Sequence, residues 1–384
     1  MMKATVRTRM KGARAILAIA GALLAGLAAT PSAQAQSVKI TFDASFAEHL
    51  LGTVCSRAPV DEDYYRASSA LQGLIRITSN ARPERTMDAF MAGLEAAAKC
   101  ETPQKDYFHF SAVVNDKAGF AETVAFFKSH ADEIAAFVAD SLIPYTPADL
   151  DYSGSLLLAI VGNPCGGFAD GRNFFLALSC LRGNYENELH AAKSVSAHET
   201  YHAVQHEFFY SSTLRFENAA TKDDAFDMFF SLLLEEGTAE YAVDSRRIEG
   251  SGTLTDYIKG FAANGYAQLP FHMRLFDYAA GAINAARGRD DLIRRLKDVV
   301  QLGFSGDNRQ IFYYVGAAMA ARIDAAHGRT AYLCVLRLPP EQFIRAYRAA
   351  AGGDAPPLGP AVLKAAERLS RTRAKRLRYE TCIG

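Results

Sequence analysis

The sequence predicts an α+β fold in which helices predominate and a small β-sheet lies beside one helix that carries a histidine motif. Apolar residues recur at the three- and four-residue spacing of amphipathic helices through most of the chain. By contrast, two short continuous apolar runs, residues 156–161 and 173–178, have the length and flanking turn residues of buried strands. This pattern disfavours a solute-binding protein, which would alternate strands and helices in two lobes.

The first 35 residues are organised like a secretory signal peptide. Five basic residues accompany an apolar stretch from Ala15 to Ala29, and Ala33-Gln34-Ala35 is typical of a cleavage site. An uncleaved membrane anchor is the alternative, but fifteen apolar residues are short for a membrane span. We therefore predict an exported protein, periplasmic or secreted, that begins near Gln36 and has no membrane attachment after cleavage.

The charge balance bears on possible partners. The full chain has 42 basic and 42 acidic residues, and cleavage would remove five basic residues and no acidic ones. The resulting acidic excess argues against nucleic acid as a partner. The oligomeric state is left open by the sequence.

Six cysteines follow residue 35, and an even number in an exported protein predicts disulfides. Their order along the chain suggests that Cys55 pairs with Cys100 and that Cys334 pairs with Cys382. None of the six has the C-x-x-C spacing of a cysteine metal site or a redox motif.

Residues 36–150 are predicted to form a helical N-terminal lobe. A short strand is expected over Ser37–Phe42. The helices that follow are expected around residues 46–54, 64–77, 87–98 and 120–142, with Pro, Asp and Asn between them. No residue cluster in this lobe suggests chemistry, and residues 144–151 are predicted to be a connector.

The second predicted unit, residues 151–384, begins with the two apolar runs. A loop rich in Gly, residues 162–167, separates them, and this arrangement predicts paired strands joined as a hairpin. The loop lacks the Gly-Lys-Ser/Thr ending of a phosphate-binding loop, so we assign it no phosphate-binding role.

A predicted helix then carries His198-Glu199-x-x-His202, and Ser194 or Ser196 is the expected cap of its start. Residues four apart lie one above the other on a helix, so both imidazoles can bind one zinc ion. Glu199 lies beside the first histidine, where it can accept a proton from a water molecule activated by the metal. The alternative is a pair of ordinary buried or surface histidines.

A second predicted helix begins at Thr221, where Thr221 and Asp224 resemble a capping box. It continues into Glu235-Glu236-Gly237, and carboxylates inside an apolar helix are unfavourable unless they are paired or bind a metal. Because glycine is costly within a helix, Gly237 predicts that another part of the protein approaches this backbone closely.

Helical patterns continue over residues 255–300, with Pro270 and several glycines as breaks, and at least two helices are expected in residues 340–370. Between them, residues 311–324 predict a helix that ends at His327-Gly328, where glycine can adopt the left-handed capping conformation. This helix contains Tyr313, which by itself would more often be a core residue than a catalytic one.

Together the motifs resemble the gluzincin class of zinc metallopeptidases, over about residues 155–330. In that class H-E-x-x-H supplies two ligands and the general base, and a Glu followed by Gly-x-Ala on a later helix supplies the third ligand. The resemblance implies a zincin-like catalytic domain with His198 and His202 as ligands and Glu199 as the base. It favours Glu236 over Glu235 as the third ligand.

The aminopeptidase branch of that class also has a Tyr-x-x-Gly motif, whose tyrosine stabilises the tetrahedral intermediate. Tyr313 to Gly316 resembles this motif, which implies that role for Tyr313. Two features depart from the class. Thirty-three residues separate His202 from Glu236, longer than usual, and the Gly-Ala-Met-Glu-Asn motif of the aminopeptidases is absent. Exopeptidase activity is therefore not implied.

Two further residues are assigned from their helix positions. Glu240 lies four residues after Glu236, on the same helix face, and could accept a hydrogen bond from the distal nitrogen of a ligating histidine. The alternative for Glu240 is a surface carboxylate. His206 comes eight residues after His198, which does not fit the third ligand of a metzincin, so a pocket-wall or surface position is expected.

The function predicted from these observations is an exported zinc-dependent metallopeptidase that hydrolyses peptide bonds of peptide or protein substrates with a zinc-activated water. The alternative is a zinc-binding protein without catalysis, or a zinc hydrolase that acts on a non-peptide substrate. The substrate, and whether cleavage is internal or terminal, do not follow from the sequence.

Overall fold

The computed structural model describes residues 36–383, except residues 163–164, 213, 215, 305–309, 353–354 and 375–376. The predicted signal peptide, residues 1–35, lies outside the described residues. In the described part of the chain, no helix combines the length and the apolar character needed to cross a membrane.

A four-stranded mixed sheet accompanies the helices, consistent with the predicted α+β class. Its strands are β1 (Ser37–Asp43), β2 (Asp151–Ala159), β3 (Gly166–Asp170) and β4 (Asn173–Ala177), in the spatial order β1-β2-β4-β3. β2 is parallel to β1 and to β4, and β3 is antiparallel to β4. Because β1 pairs with β2, the predicted N-terminal lobe and the region after residue 150 share this sheet.

The hairpin prediction was wrong in its partners. The two apolar runs are neighbouring strands, β2 and β4, but they run parallel. A parallel pair needs a crossover, and here β3 lies in that connection and forms the actual hairpin with β4. Strand β3 is rich in Gly and only partly buried, so it lacks the apolar run that identified the other two strands.

Seven helices lie between β1 and β2. They are α1 (Ser45–Thr53), α2 (Glu62–Ala67), α3 (Ser69–Ala81), α4 (Met87–Ala98), α5 (Phe110–Asn115), α6 (Lys117–Ser129) and α7 (Ala131–Leu142). The runs predicted around residues 64–77 and 120–142 each consist of two helices, with breaks at Ser68 and His130. At the first break, the Ser68 side chain accepts a hydrogen bond from Leu71 N and caps α3.

Ten helices follow β4 in the described chain. They are α8 (Leu189–Phe208), α9 (Lys222–Val243), α10 (Thr253–Ala267), α11 (Leu269–Asn284), α12 (Gly288–Phe304), α13 (Ile311–His327), α14 (Arg329–Leu336), α15 (Pro340–Ala350), α16 (Pro360–Thr372) and α17 (Glu380–Ile383). The expected capping box of Thr221 and Asp224 begins α9, and Gly328 ends α13 with a positive φ of 82°. The capping box and the position of the helix end are confirmed, but with a ψ of 162° Gly328 does not have the expected left-handed capping conformation.

The start of α8 differs from the prediction. The helix begins at Leu189, so Ser194 and Ser196 are buried residues of its first half rather than caps. No side chain makes a capping hydrogen bond at the start of α8, so the sequence carries no strong signal for its first residue. The motif therefore lies in the middle of a long helix, and the helix has buried residues both before and after it.

The sheet is covered by helices on both faces, and one of them is α8. Successive residues of a strand point to opposite faces. In β3, Gly167 contacts Glu199 of α8, whereas Phe168 stacks on Phe175, which in turn contacts Gly73 of α3. The helix with the histidine motif thus packs directly on the edge strand of the small sheet, as predicted.

Three disulfides are present. Cys55 pairs with Cys100 and Cys334 with Cys382, which confirms both predicted pairs. The third joins Cys165, just before β3, to Cys180, just after β4. Disulfides of this number are typical of oxidising compartments.

Candidate metal centre

Three side chains from two helices converge on one point. The Nε2 atoms of His198 and His202 on α8 are 3.1 Å apart. Each of these nitrogens lies 3.4 Å from Oε2 of Glu236 on α9. The three residues predicted as metal ligands therefore form a compact group whose ligand atoms face each other.

The geometry of this group fits a zinc ion. Zinc bonds of about 2.0–2.2 Å in a tetrahedral arrangement separate neighbouring ligand atoms by about 3.3–3.5 Å. The measured separations are 3.1, 3.4 and 3.4 Å. In addition, Glu236 Oε2 is buried and has no hydrogen-bond donor of normal geometry. A buried carboxylate oxygen without a donor is unfavourable, and a cation at this point would satisfy it.

The electrostatics of the group point the same way. Burial would lower the pKa of His202, but the negative charge of Glu236 raises it to about 10. Burial would raise the pKa of Glu236, yet the charge of His202 holds this pKa well below its usual range. The site thus favours positive charge beside Glu236, which a metal ion can supply in place of a proton.

The neighbouring carboxylate, Glu235, does not join the group. Its Oε1 accepts a hydrogen bond of 3.0 Å from Ser211 Oγ. One step along a helix turns a side chain by about 100°, so only one of two adjacent glutamates can face the histidines. The structure places Glu236 there, as the sequence favoured.

Two glycines bring α9 and α13 into backbone contact. A Cβ atom added to Gly237 would lie 2.2 Å from Gly316 Cα, and one added to Gly316 would lie 2.3 Å from the Leu233 carbonyl oxygen. The close approach expected at Gly237 is therefore confirmed, and its partner is α13. This crossing places Glu236 beside Tyr313, one turn before Gly316.

Tyr313 lies against the metal group. Its ring is 5.8 Å from the His198 ring, at an interplanar angle of 19°. Burial and the charges of Glu236 and Glu199 raise the pKa of Tyr313 well above its usual value, so the phenol stays protonated. The next residue, Tyr314, turns away to pack on Gly265, and its hydroxyl donates to Gln310 Oε1 at 3.1 Å.

Glu199 lies between the metal group and the edge strand. A Cβ atom added to Gly167 of β3 would be 2.5 Å from Glu199 Cγ, so a larger residue here would displace the Glu199 side chain. Burial raises the pKa of Glu199, and the charges of His202 and His198 oppose that shift. The side chain also lines an open cavity that contains His198 and Tyr313.

A family model matches residues 66–355, which include every residue of this site. The family is described as "Putative zinc dependent peptidase (DUF5700)". The chain belongs to this family. No curated protein and no solved structure matches the chain. The family description and the His-His-Glu group together identify zinc as the cofactor and support zinc peptidase function at that general level.

In this member of the zinc peptidase family, Glu240 does not make the hydrogen bond to His202 that its position suggested. Glu240 is buried, and its oxygens accept hydrogen bonds from Ser245 N and Oγ at 3.2 and 2.7 Å. The distal nitrogen of His202 instead contacts Gln205 Oε1 at 2.8 Å. Glu240 nevertheless lines the same cavity as His198. Burial raises the pKa of Glu240, and the hydrogen bond from Ser245 and the nearby His198 oppose that shift.

Gln205 was missed by the sequence reasoning. Its Nε2 donates to the Glu235 carbonyl oxygen at 2.8 Å and to Thr238 Oγ1 at 2.6 Å. A backbone carbonyl can only accept, so the amide nitrogen must face α9 and the amide oxygen must face His202. His202 therefore donates from Nδ1 and presents Nε2 to the metal group. The available signal was a glutamine three residues after a ligand, on the same helix face.

His206 is exposed, in agreement with the expected surface or pocket-wall position. The cavity beside the metal group has a volume of about 390 Å³. Residues of α8, α10 and α13 line it, together with the residues at the start of β3. The metal group therefore faces an open cleft through His198, beside Glu199 and Tyr313.

Proposed function

We propose that the protein is an exported zinc metallopeptidase of the gluzincin type, with a zincin-like catalytic domain, that hydrolyses peptide bonds. The observation that carries this proposal is the convergence of His198, His202 and Glu236 beside Glu199 and Tyr313, at the base of an open cleft. The histidines and Glu236 are the zinc ligands. When bound, zinc acts as a Lewis acid that lowers the pKa of water towards neutrality.

Glu199 is the general base of this proposal. Its carboxylate accepts a proton from the attacking water and can return that proton to the leaving nitrogen. The contact with Gly167 holds the side chain between the edge strand and the metal group, where a bound substrate would lie. No other carboxylate is proposed for this step, because Glu240 is held by Ser245 and Glu235 by Ser211.

Tyr313 is the proposed hydrogen-bond donor to the developing oxyanion. Its phenol stays protonated at neutral pH because burial and neighbouring carboxylates raise its pKa. A donor held beside the ligands interacts more strongly as negative charge develops on the carbonyl oxygen, and this difference lowers the barrier.

Strand β3 is the proposed binding edge for the peptide backbone. In the described part of the sheet it pairs with β4 on one side only, and its first residues line the cleft. An extended peptide can add to such an edge through main-chain hydrogen bonds. The edge therefore supports a peptide as the substrate over a small molecule.

Gln205 and Glu240 are proposed as supporting residues. Gln205 orients His202 and connects α8 to α9 through the backbone of Glu235. Glu240 supplies negative charge near His198 while Ser245 holds it in place. Export is proposed from the signal-like residues 1–35, and the three disulfides are consistent with it.

The test is zinc content together with cleavage of a mixed peptide library by the chain that begins at Gln36. We expect about one zinc per chain and peptide cleavage that a chelator abolishes. A variant with both His202→Ala and Glu236→Ala should lose zinc. Full zinc in that variant would contradict the ligand assignment, and zinc without cleavage would favour an inactive zinc-binding protein or a non-peptide hydrolase.

A further inference from the structure

Part of the cleft that β3 also lines is an apolar surface on α10. It consists of Leu254, Tyr257, Ile258 and Phe261, which all line the cavity and which we call the apolar wall. Their spacing of three, four and seven residues places them on one helix face. The Tyr257 and Phe261 rings are 4.6 Å apart, so the wall is continuous rather than a set of isolated side chains.

Packing of the core accounts for Leu254 but not for the rest of this surface. The residues of α10 that are buried are Thr255, Ala262 and Gly265, and Gly265 packs on the Tyr314 ring. Tyr257 is 56% exposed, and the other three wall residues are only partly buried. A grouped apolar surface that remains exposed in a cleft is a feature of binding sites.

The position of α10 is determined by contacts at its start. The Glu188 carboxylate is fully buried and accepts hydrogen bonds from Leu254 N at 2.8 Å and Thr255 N at 2.9 Å. Thr255 Oγ1 donates to the same carboxylate at 3.0 Å. These contacts connect α10 to the residue just before α8, so the wall is held at a defined distance from the metal group.

We propose that the apolar wall selects substrates with a large aliphatic or aromatic side chain next to the bond that is cleaved. This inference rests on the proposed peptidase function and specifies its substrate class. A peptide paired with β3 runs between that strand and α10, above Glu199 and Tyr313. A large apolar side chain near the reacting carbonyl then contacts the wall and removes its exposed surface from water.

A negative side chain at the same position is disfavoured by the site itself. Glu199 and Glu240 both line the cavity and are buried there. A substrate carboxylate would lose its hydration against the apolar wall and would gain no hydrogen-bond donor from the wall in return. The wall thus discriminates by burial of apolar surface and by exclusion of negative charge.

The test compares two peptides that differ only at the residue next to the cleaved bond, Leu in one and Ala in the other. The zinc-loaded chain that begins at Gln36 should cleave the Leu peptide with a kcat/KM at least about 10-fold higher. In a variant with Tyr257→Ala and Ile258→Ala, this ratio should fall towards one because cleavage of the Leu peptide decreases most, while zinc content is retained.

The control is Tyr278→Ala, because Tyr278 is 73% exposed on α11 and is not a wall residue. It should keep the wild-type ratio. If the double variant melts at a lower temperature, Tyr257→Ala alone serves, since this side chain is largely exposed.

Equal cleavage of both peptides by the wild type, or an unchanged ratio in the wall variants, would overturn the inference and leave the peptidase proposal standing. Failure of the zinc-loaded protein to cleave any peptide would overturn both. A mixed library analysed by mass spectrometry provides an independent measure, in which a preference for charged residues beside the cleaved bond would also contradict the role of the wall.

Discussion

The floor of the cleft and its two walls are held by different kinds of contact. The floor comprises the metal group, Glu199 and Tyr313, and it is built on three long helices, α8, α9 and α13. The walls are the start of β3 and the apolar wall of α10. In the floor, helix backbones touch, whereas α10 is attached at its start through the Glu188 side chain and β3 pairs with β4.

Two contacts define the floor. Gly237 and Gly316 let α9 and α13 cross in backbone contact, so even a methyl group at either glycine would clash. Gln205 connects His202 on α8 to the backbone of Glu235 on α9. The ligand positions therefore follow from the packing of entire helices, and a small displacement of one helix would separate the three ligand atoms.

The walls depend on more local anchors. Glu188 caps the start of α10 with both of its oxygens. The Cys165–Cys180 disulfide closes the hairpin that contains β3. This comparison suggests that chemistry and substrate binding were built on separable parts of the molecule. Substitutions in the floor should then change zinc binding or kcat, and substitutions at a wall anchor should change KM.

The largest effect is expected from Glu199→Gln. The amide has the size of the carboxylate but cannot accept the proton, so kcat should fall by roughly 10²–10⁴-fold. Zinc content and melting temperature should stay close to those of the wild type, because Glu199 is not a ligand. Steady-state kinetics with metal analysis checks this, and activity within a few-fold of the wild type would mean that another group is the base.

Tyr313→Phe should have the next largest effect. Removal of one oxyanion donor typically lowers kcat by about 10²–10³-fold. The substitution keeps the ring that packs beside His198, so zinc content and KM should change little. Tyr314→Phe is the matched control, since its hydroxyl bonds to Gln310 rather than facing the ligands. A loss of kcat in the control alone would reverse the two assignments.

Gln205→Leu tests how the floor holds one ligand. Loss of the partner of a ligating histidine typically weakens metal binding by about 10–100-fold. Competition with a chromophoric chelator measures this change directly, and the spectrum of the cobalt-substituted protein should report altered ligand geometry.

Gln342→Leu is the control for that experiment, because Gln342 is equally buried but bonds to Glu341 and Ser370, away from the site. Both variants should lose stability, but only Gln205→Leu should lose zinc affinity. Equal zinc affinity in the two variants would show that Gln205 contributes to folding alone.

Glu188→Gln should have the smallest effect on chemistry and tests the wall. Each carboxylate oxygen of Glu188 now accepts a hydrogen bond from a backbone N–H group, and the amide NH₂ would replace one of these two oxygens. The free energy of unfolding should therefore fall by about 1–3 kcal/mol. Displacement of α10 should raise KM by a few-fold while kcat and zinc content persist. Denaturant unfolding and kinetics measure these quantities.

Glu341→Gln is the corresponding control, a buried glutamate that pairs with Gln342 and Arg373 instead. It should lose stability without a change in KM. A large loss of kcat in Glu188→Gln would show that floor and wall are coupled, contrary to the comparison above.

The sequence by itself determined the features that depend on local geometry. The four-residue spacing of His198 and His202 places both imidazoles on one helix face whatever the rest of the fold does. The Thr221 cap and the Gly328 end of α13 were predictable for the same reason, because caps involve residues within a few positions of each other. The choice of Glu236 came from a resemblance, which the converged ligand atoms now support.

Only the tertiary structure decided which elements meet. Gly237 indicated that something approaches closely, but nothing local could name Gly316 as its partner. Helical periodicity placed Glu240 on the face of Glu236, yet the fold gave its carboxylate to Ser245. The orientation of Gln205 likewise depends on its hydrogen bonds to α9, which the sequence of α8 could not show. The strand order followed the same rule, since β2 and β4 are separated by β3 in the chain and adjacent in the sheet. Periodicity along a chain determines which face a residue occupies, and the contacts of that face depend on segments distant in sequence.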